Sequence, residues 1–162
     1  MTIRRAQFSD RPAIWSILEP VIRAGETYTL PQDMTEAGAL DYWFGAGHTV
    51  FVAEPDDDGR VAGTYYIRAN QQGGGSHVAN CGYMTAKAAT GRGIARAMCE
   101  HSLAYAKSLG FRAMQFNFVV STNRRAVKLW ESFGFSIAGR LPGAFAHPTE
   151  GFVDAYVMYR AL

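Results

Sequence analysis

The feature that most constrains this 162-residue chain is a segment, Tyr83 to Met98, in which a strand pattern, a glycine loop and a helix pattern follow one another. Gly91 and Gly93 lie at the start of a predicted helix over 92–108, which Gly110 ends. The first turn of a helix leaves backbone N–H groups without internal partners, and the helix dipole favours negative charge there. Because glycine lets a bulky anion approach the backbone, the segment predicts a pyrophosphate site.

Two well-known phosphate loops do not fit this segment. A dinucleotide-binding fingerprint needs a third small residue where this chain has Arg96. A nucleoside triphosphate loop needs Gly-Lys-Ser or Gly-Lys-Thr, which is missing. Arg92 and Arg96 are four positions apart, so on a helix they share a face and both are expected to strengthen anion binding. Taken alone, however, a Gly-x-Gly pair is more often an ordinary loop.

The pattern of hydrophobic residues gives the element order β-α-α-β-β-β-α-β-α-β-β, in one domain over 1–162. The predicted strands lie at 2–6, 48–54, 60–69, 77–85, 112–119, 135–141 and 152–160. The first helix is predicted to be capped by Ser9 and the second by Thr35, because both are hydroxyl residues directly before an apolar helical pattern. The stretch Pro55 to Gly59 has the composition of a hairpin turn.

A second motif strengthens the first, since Asn123 to Phe135 reads Asn-x-x-Ala-x-x-Leu-Trp-x-x-x-Gly-Phe. The two motifs together resemble the GCN5-related N-acetyltransferase superfamily. Its loop pattern, Arg/Gln-x-x-Gly-x-Gly/Ala, falls on Thr90 to Ala95, and its helix pattern, which has Tyr in place of Trp, falls on Asn123 to Phe135. The resemblance implies an α/β fold with a mixed, mostly antiparallel central sheet, splayed central strands and flanking helices.

The resemblance also implies a cofactor, acetyl-coenzyme A. Its pantetheine would enter the gap between the two splayed strands, here 80–85 and 114–119, where an amine attacks the thioester directly. The backbone N–H of Met84 is the expected oxyanion donor. The residues expected to bind the cofactor are Met84, Thr85, Ala86, Gly91, Arg92, Gly93, Ile94, Ala95, Arg96, Asn123, Ala126 and Trp130.

Two positions depart from the family pattern, and the second departure is the more serious. Thr90 replaces the usual Arg or Gln, a small change where the backbone does the binding. Trp130 stands where relatives often carry the Tyr that protonates the departing thiolate, and an indole N–H is not a usable acid. Either another group supplies this proton, or the thiolate leaves and takes one from water. The second is favoured, because a thiol with a pKa of ~8.5 is a tolerable leaving group near neutrality.

The glutamate base of many relatives is also missing, and three asparagines occupy this region instead. Asn80 and Asn117 lie on the two splayed strands and Asn123 begins the next helix. A single asparagine of this kind is at least as often a solvated strand residue, but buried amides beside the gap are costly unless they bind something. Their spacing is similar to that of the fungal N-acetyltransferases that detoxify proline analogues such as azetidine-2-carboxylate, with phosphinothricin-type acetyltransferases as the alternative.

By this resemblance Asn80 and Asn117 orient a small amine or its carboxylate, with an ordered water as a possible proton relay. Further substrate residues are expected in the connector between the first two helices, at Glu26, Thr27 and Tyr28. Two other functions stay open: acetylation of protein N-termini or lysines, and non-enzymatic sensing of acyl-coenzyme A.

Composition argues against several other classes of protein and site. The net charge of +2 and the dispersed basic residues argue against nucleic acid binding. The four histidines are scattered, so no metal site is expected, and Cys81 and Cys99 make no disulfide framework. The sequence has no signal peptide pattern and no apolar run of membrane-spanning length. A cytoplasmic protein that binds no membrane is therefore expected, and the resemblance adds a homodimer.

Overall fold

Strands and helices follow one another in the predicted order in the computed structural model, which describes residues 1–57 and 59–162. The strands are β1 Thr2–Arg5, β2 Thr49–Glu54, β3 Gly63–Ala69, β4 Val78–Thr85, β5 Ala113–Val120, β6 Ser136–His147 and β7 Gly151–Ala161. The α-helices are α1 Arg11–Ala24, α2 Glu36–Trp43, α3 Ile94–Ser108 and α4 Arg124–Ser132. The predicted fold class is confirmed.

The sheet has the order β1-β2-β3-β4-β5-β7-β6, and β4 with β5 is its one parallel pair among the described residues. These two strands pair only at Val78 with Ala113 and at Ala79 with Met114. Beyond those positions the chain continues in both strands without a ladder between them. The sheet therefore opens into a fork at its centre, as the family resemblance implied.

Two hydrophobic clusters cover the two faces of the sheet. On one face α3 and the aromatic side of α4 pack on the sheet around Met98, Met114 and Trp130. On the other face α1 and α2 pack around Leu18 and Trp43. Alternation along each strand sends successive side chains to opposite faces, so Met84 belongs to the α1–α2 face while its neighbour Tyr83 packs toward α3.

The predicted cap of the first helix is wrong, whereas that of the second is confirmed. Phe8–Asp10 form a short 3-10 turn, so α1 begins after Asp10 rather than at Ser9. The Asp10 carboxylate accepts the Gln7 N–H at 2.7 Å and two bonds from the Arg4 guanidinium at 2.7 and 2.9 Å, which lowers the pKa of Asp10. Thr35 accepts the N–H of Gly38 at 3.1 Å, as a capping threonine does.

The final hairpin is longer than the sequence pattern predicts. β6 runs to His147, six residues past the predicted end, and it passes through Pro142. It lies at the edge of the sheet, where a missing N–H costs little, and its pairing with β7 shifts register between Leu141 and Phe145. The predicted hairpin of β2 with β3 is antiparallel as expected, and Asp58 of its turn lies outside the described residues.

Candidate active site

The fork between β4 and β5 opens into a cleft of about 880 Å³. We call its two parts the loop end and the polar end. The loop end is lined by residues 89–91 and 93–96 together with Asn123, Ala126 and Trp130. The polar end is lined by residues 26–29 of the α1–α2 connector together with Tyr66, Arg68, Asn80 and Asn117. Both ends thus belong to a single continuous cleft.

The loop end presents backbone N–H groups to the cleft. Gly91 and Gly93 have φ angles of +86° and +77°, a left-handed conformation that favours glycine, and no atom lies within 4 Å of where their side chains would begin. The first bond of the helix runs from the Ala97 N–H to the Gly93 carbonyl at 3.0 Å. Within the described part of the chain, the N–H groups of Gly93, Ile94, Ala95 and Arg96 therefore have no acceptor. This cradle fits the oxygens of a pyrophosphate.

The two arginines near this loop lie in different places. Arg96 lines the cleft, with its guanidinium 5.1 Å from the centre of the Phe133 ring. Arg92 precedes α3, which begins two residues later than predicted, and it donates to both carboxylate oxygens of Asp57 at 2.6 and 2.5 Å. The expectation that both arginines share one helical face is therefore wrong.

Helix α4 completes the loop end. Asn123 lies at the start of this helix as predicted, and it caps the helix, since its side-chain oxygen accepts the N–H of Ala126 at 3.4 Å. Trp130 is buried, and its ring lies 5.0 Å from the ring of Tyr83 and 5.0 Å from that of Phe116. Because Tyr83 belongs to β4 and Phe116 to β5, the indole packs against both strands of the fork.

The backbone of Met84 does not face the gap, so the predicted oxyanion donor is wrong. Met84 pairs with Thr64 of β3. The bonds from the Asn70 N–H to the Val78 carbonyl and from the Ala86 N–H to the Ala62 carbonyl show that even-numbered residues of β4 bond toward β3. Like Met84, Ala86 contributes nothing to the cleft lining, whereas Thr85 does line it.

The opposite alternation sends the backbone groups of Cys81, Tyr83 and Thr85 toward the gap. The Tyr83 carbonyl shows this directly, because it accepts the hydroxyl of Tyr28 at 2.9 Å. This bond fastens the α1–α2 connector over the fork. Burial raises the pKa of the Tyr28 hydroxyl well above its usual value, so the hydroxyl stays protonated and acts as a donor.

The predicted asparagines form a network of amides at the polar end. The Asn80 amide donates to the backbone carbonyl of Gln115 at 3.0 Å, just where the ladder between β4 and β5 stops. The Asn117 amide donates to the side-chain oxygen of Asn70 at 2.7 Å and accepts from the Gln115 amide at 2.9 Å. Asn80 is buried as expected, but Asn117 is exposed, and Asn123 lies at the other end of the cleft.

Three residues at or beside the polar end were not predicted from the sequence. Asn70 and Gln115 belong to the amide network, and Arg68 lines the cleft from β3, opposite Asn80. A lone arginine or amide in a strand pattern carries no signal of its own, because the partner across the sheet depends on the strand register. Of the connector residues, Glu26, Thr27 and Tyr28 all line the cleft, with the Glu26 side chain exposed.

Across the described residues, no group of three or more His, Cys, Asp and Glu residues lies close enough together to hold a metal ion. In the same part of the chain, none of the helices has both the length and the apolar character needed to span a membrane.

Comparison with known proteins decides what this cleft belongs to. The sequence model of the Acetyltransferase (GNAT) family matches residues 14–135. The chain belongs to the GNAT family. It is accordingly an acetyl-coenzyme A-dependent N-acetyltransferase, and the cradle of N–H groups at the loop end fits the pyrophosphate of that cofactor.

Individual relatives of this GNAT enzyme cover nearly its whole length. N-acetyltransferase aca1 of Schizosaccharomyces pombe is 30% identical over an alignment of 151 residues, and the match covers 84% of this chain and 72% of the relative. A solved GCN5-related N-acetyltransferase from Kribbella flavida is 43% identical, with a TM-score of 0.94 and coverage of 99% and 97% of the two chains. A phosphinothricin acetyltransferase from Sinorhizobium meliloti, solved with acetyl-coenzyme A, shares the fold at 23% identity, with a TM-score of 0.85 and coverage of 99% and 88%.

Proposed function

We propose that this GNAT enzyme transfers the acetyl group of acetyl-coenzyme A to the amine of a small molecule, an amino acid or an amino-acid analogue. The observation that carries the proposal is the composition of the cleft. Unpartnered N–H groups form one end, and the amides of Asn80 on β4 and Asn117 on β5 belong to the other. The name of the Sinorhizobium relative, a phosphinothricin acetyltransferase, supports an amino-acid analogue as the acceptor.

At the loop end we assign the pyrophosphate to the N–H groups of Gly93, Ile94, Ala95 and Arg96, with added charge from the Arg96 guanidinium. Bound acetyl-coenzyme A supplies the thioester that the amine attacks. The free edge of β4 stabilises the oxyanion through one of its gap-facing N–H groups, which belong to Cys81, Tyr83 and Thr85. This edge replaces Met84 in the assignment, because Met84 bonds toward β3.

Proton transfer is assigned to water rather than to a side-chain acid. Burial raises the pKa of Tyr28 and of Tyr66 well above the usual value, so neither phenol gives its proton readily to a thiolate. Trp130 has no acidic proton. Asn117 is exposed to the cleft and keeps further hydrogen-bonding capacity beyond its two bonds, so it can orient the amine and a water that carries the proton away.

The connector favours a small acceptor over a peptide. Tyr28 is bonded to the Tyr83 carbonyl, so the connector crosses the cleft beside the fork. A peptide or protein acceptor needs an open path for the rest of its chain to leave the reacting amine, whereas a free amino acid needs only a pocket.

A coenzyme A release assay with an amine panel tests the proposal. The panel holds free amino acids, imino acids including azetidine-2-carboxylate, phosphinothricin, and short peptides with free N-termini. Turnover on a free amino acid, imino acid or analogue, with peptides at least about tenfold poorer in kcat/KM, is the expected result. Preference for peptides would favour the protein acetyltransferase instead. Tight binding of acetyl-coenzyme A without turnover on any amine would favour a sensor.

The expected homodimer remains a prediction. Its support is the last hairpin, where Phe152 is 82% exposed and Ile137 is 43% exposed. Light scattering during gel filtration measures the mass directly. A mass of one 17.8 kDa chain at micromolar concentration would contradict the prediction.

A further inference from the structure

Arg68 carries a positive charge at the polar end of the cleft that no residue in the described part of the chain neutralises. It lies on β3 directly opposite Asn80 and is partly buried. Its Nε atom is buried and has no hydrogen-bond partner. The one carboxylate among the residues that line the cleft is that of Glu26, and it makes no ion pair with Arg68 in the described structure.

Other arginines of the chain do not share this situation. Arg4 pairs with Asp10 and Glu54, and Arg92 pairs with Asp57. Arg11 also has a buried Nε without a hydrogen-bond partner, but its guanidinium lies 4.7 Å from the centre of the Phe44 ring and outside the cleft lining. A buried N–H donor without a partner costs free energy. Arg68 is therefore a charged donor without a partner in the described structure, and it is placed to bind an anionic group that enters the cleft.

The surroundings of Arg68 indicate the chemistry of that ligand. Residues opposite each other in an antiparallel pair have neighbouring side chains, so the guanidinium and the Asn80 amide start from adjacent points on the same face of the sheet. Asn80 in turn is bonded to Gln115, whose side chain is bonded to Asn117. A guanidinium presents its N–H groups in a planar fork that matches the two oxygens of a carboxylate.

We propose that Arg68 binds the carboxylate of the acceptor and thereby selects amines with a carboxylate on the neighbouring carbon. The inference rests on the proposed function, and it adds the residue that discriminates amino acids from other amines. With the carboxylate held at Arg68, an amine one carbon away is directed toward the free edge of β4, where the thioester carbonyl is attacked.

The test compares one amino acid that the enzyme acetylates with its carboxamide, which keeps the amine and loses the negative charge. The wild type is expected to prefer the acid. In Arg68→Met, kcat/KM for the acid should fall by about 30- to 100-fold, mainly through KM, whereas that for the amide should change by less than about threefold. Arg68→Lys keeps the positive charge but loses the planar guanidinium, so its kcat/KM for the acid should lie between those of the wild type and Arg68→Met. Affinity for acetyl-coenzyme A, measured by calorimetry, should stay unchanged in both variants.

Arg112→Met is the matched control, because it removes one positive charge from an exposed residue outside the cleft lining. It should leave the preference for the acid intact. Equal losses on acid and amide in Arg68→Met, with the fold retained in circular dichroism, would overturn the assignment of Arg68. A wild type that acetylates both compounds equally would overturn it even if that variant did not fold. A wild type inactive on every amine would instead overturn the proposed function.

Discussion

The two ends of the cleft are built on different principles. The loop end offers backbone N–H groups whose direction follows from two left-handed glycines and the start of a helix. The polar end offers side chains from the α1–α2 connector and three strands, held in place by bonds among themselves. Backbone geometry follows from a short local motif, whereas the meeting of distant side chains follows from the register of the sheet. The cofactor site is thus local in sequence and the acceptor site is not.

The largest expected effect tests whether the loop end works through its backbone. Gly93→Ala forces a side chain into a φ of +77° and into the space assigned to the phosphates. Affinity for acetyl-coenzyme A should fall by about 100-fold, the equivalent of one charge-assisted hydrogen bond of up to ~3 kcal/mol. Calorimetric titration measures it.

Gly110→Ala is the control, since Gly110 has a φ of +83°, equally open surroundings and no place in the cleft lining. Both variants should lose about 1 kcal/mol of unfolding free energy through backbone strain. Equal affinity for the cofactor in the two variants would show that the loop conformation is not what binds it.

The element order and the loop end were predictable from the sequence because their determinants are local. Thr35 and Asn123 sit directly before apolar helical patterns. Thr35 caps its helix as predicted, and a helix starts at Asn123 as predicted, with Asn123 as its cap. Gly91 and Gly93 carry the left-handed angles that their motif requires. Where the local signal was ambiguous the prediction failed, as at Ser9. There the Asp10 carboxylate accepts the Gln7 N–H and two bonds from the Arg4 guanidinium, and this arrangement fixes the start of the helix instead.

The second prediction separates the two asparagines of the polar end. Asn80→Ala removes the donor to the Gln115 carbonyl at the fork and should cost about 1–3 kcal/mol of unfolding free energy. Asn117→Ala removes an exposed side chain together with its bond to Asn70 and should cost less, about 0.5–1 kcal/mol, while kcat falls by about 10- to 100-fold. Urea unfolding and single-substrate kinetics measure the two quantities. Unchanged turnover in Asn117→Ala, with cofactor binding intact, would remove Asn117 from the proposed mechanism.

The residues of the polar end could not be predicted from the sequence, because the strand register of the sheet determines which side chains meet there. The sequence places Arg68 and Asn80 in neighbouring strands, but only the pairing of β3 with β4 sets them opposite each other. The same pairing turns the Met84 N–H toward β3, and a shift of one residue would have turned it toward the gap. No local pattern in a single sequence carries that information.

The third prediction compares the two arginines of the loop end. Arg96 lines the cleft, so Arg96→Ala should weaken acetyl-coenzyme A binding by about fivefold, as expected for an exposed charge pair. Arg92 is bonded to Asp57 outside the cleft, so Arg92→Ala should weaken binding by less than about twofold. Calorimetric titration with acetyl-coenzyme A measures the loss of affinity in each variant, and the loss in Arg96→Ala should shrink at high salt. A larger loss in the Arg92 variant would mean that this residue leaves Asp57 when the cofactor binds.

The smallest expected effect concerns the pH dependence of stability beside the polar end. His48 stacks on Tyr66 with ring centres 4.2 Å apart, and burial lowers the pKa of His48 below its ordinary 6.5, with the nearby Arg68 adding to the shift. At a pH between the lowered pKa of His48 in the folded chain and its ordinary pKa of 6.5 in the unfolded chain, only the unfolded chain binds the proton. Stability is therefore full above pH 6.5 and declines as the pH falls toward the folded pKa of His48.

His48→Phe keeps a ring against Tyr66 but cannot titrate, so its thermal midpoint should fall less than that of the wild type between pH 7 and pH 5. The difference should be at most about 2–4 °C, the shift that ~1 kcal/mol produces in a domain of this size. Differential scanning calorimetry at a series of pH values measures it. Burial also lowers the pKa of His101, on α3, so His101→Phe should reduce the loss of thermal midpoint at low pH in the same way. The double variant should show the flattest dependence of thermal midpoint on pH. A His48→Phe profile parallel to that of the wild type would show that His48 does not contribute to the acid sensitivity of the fold.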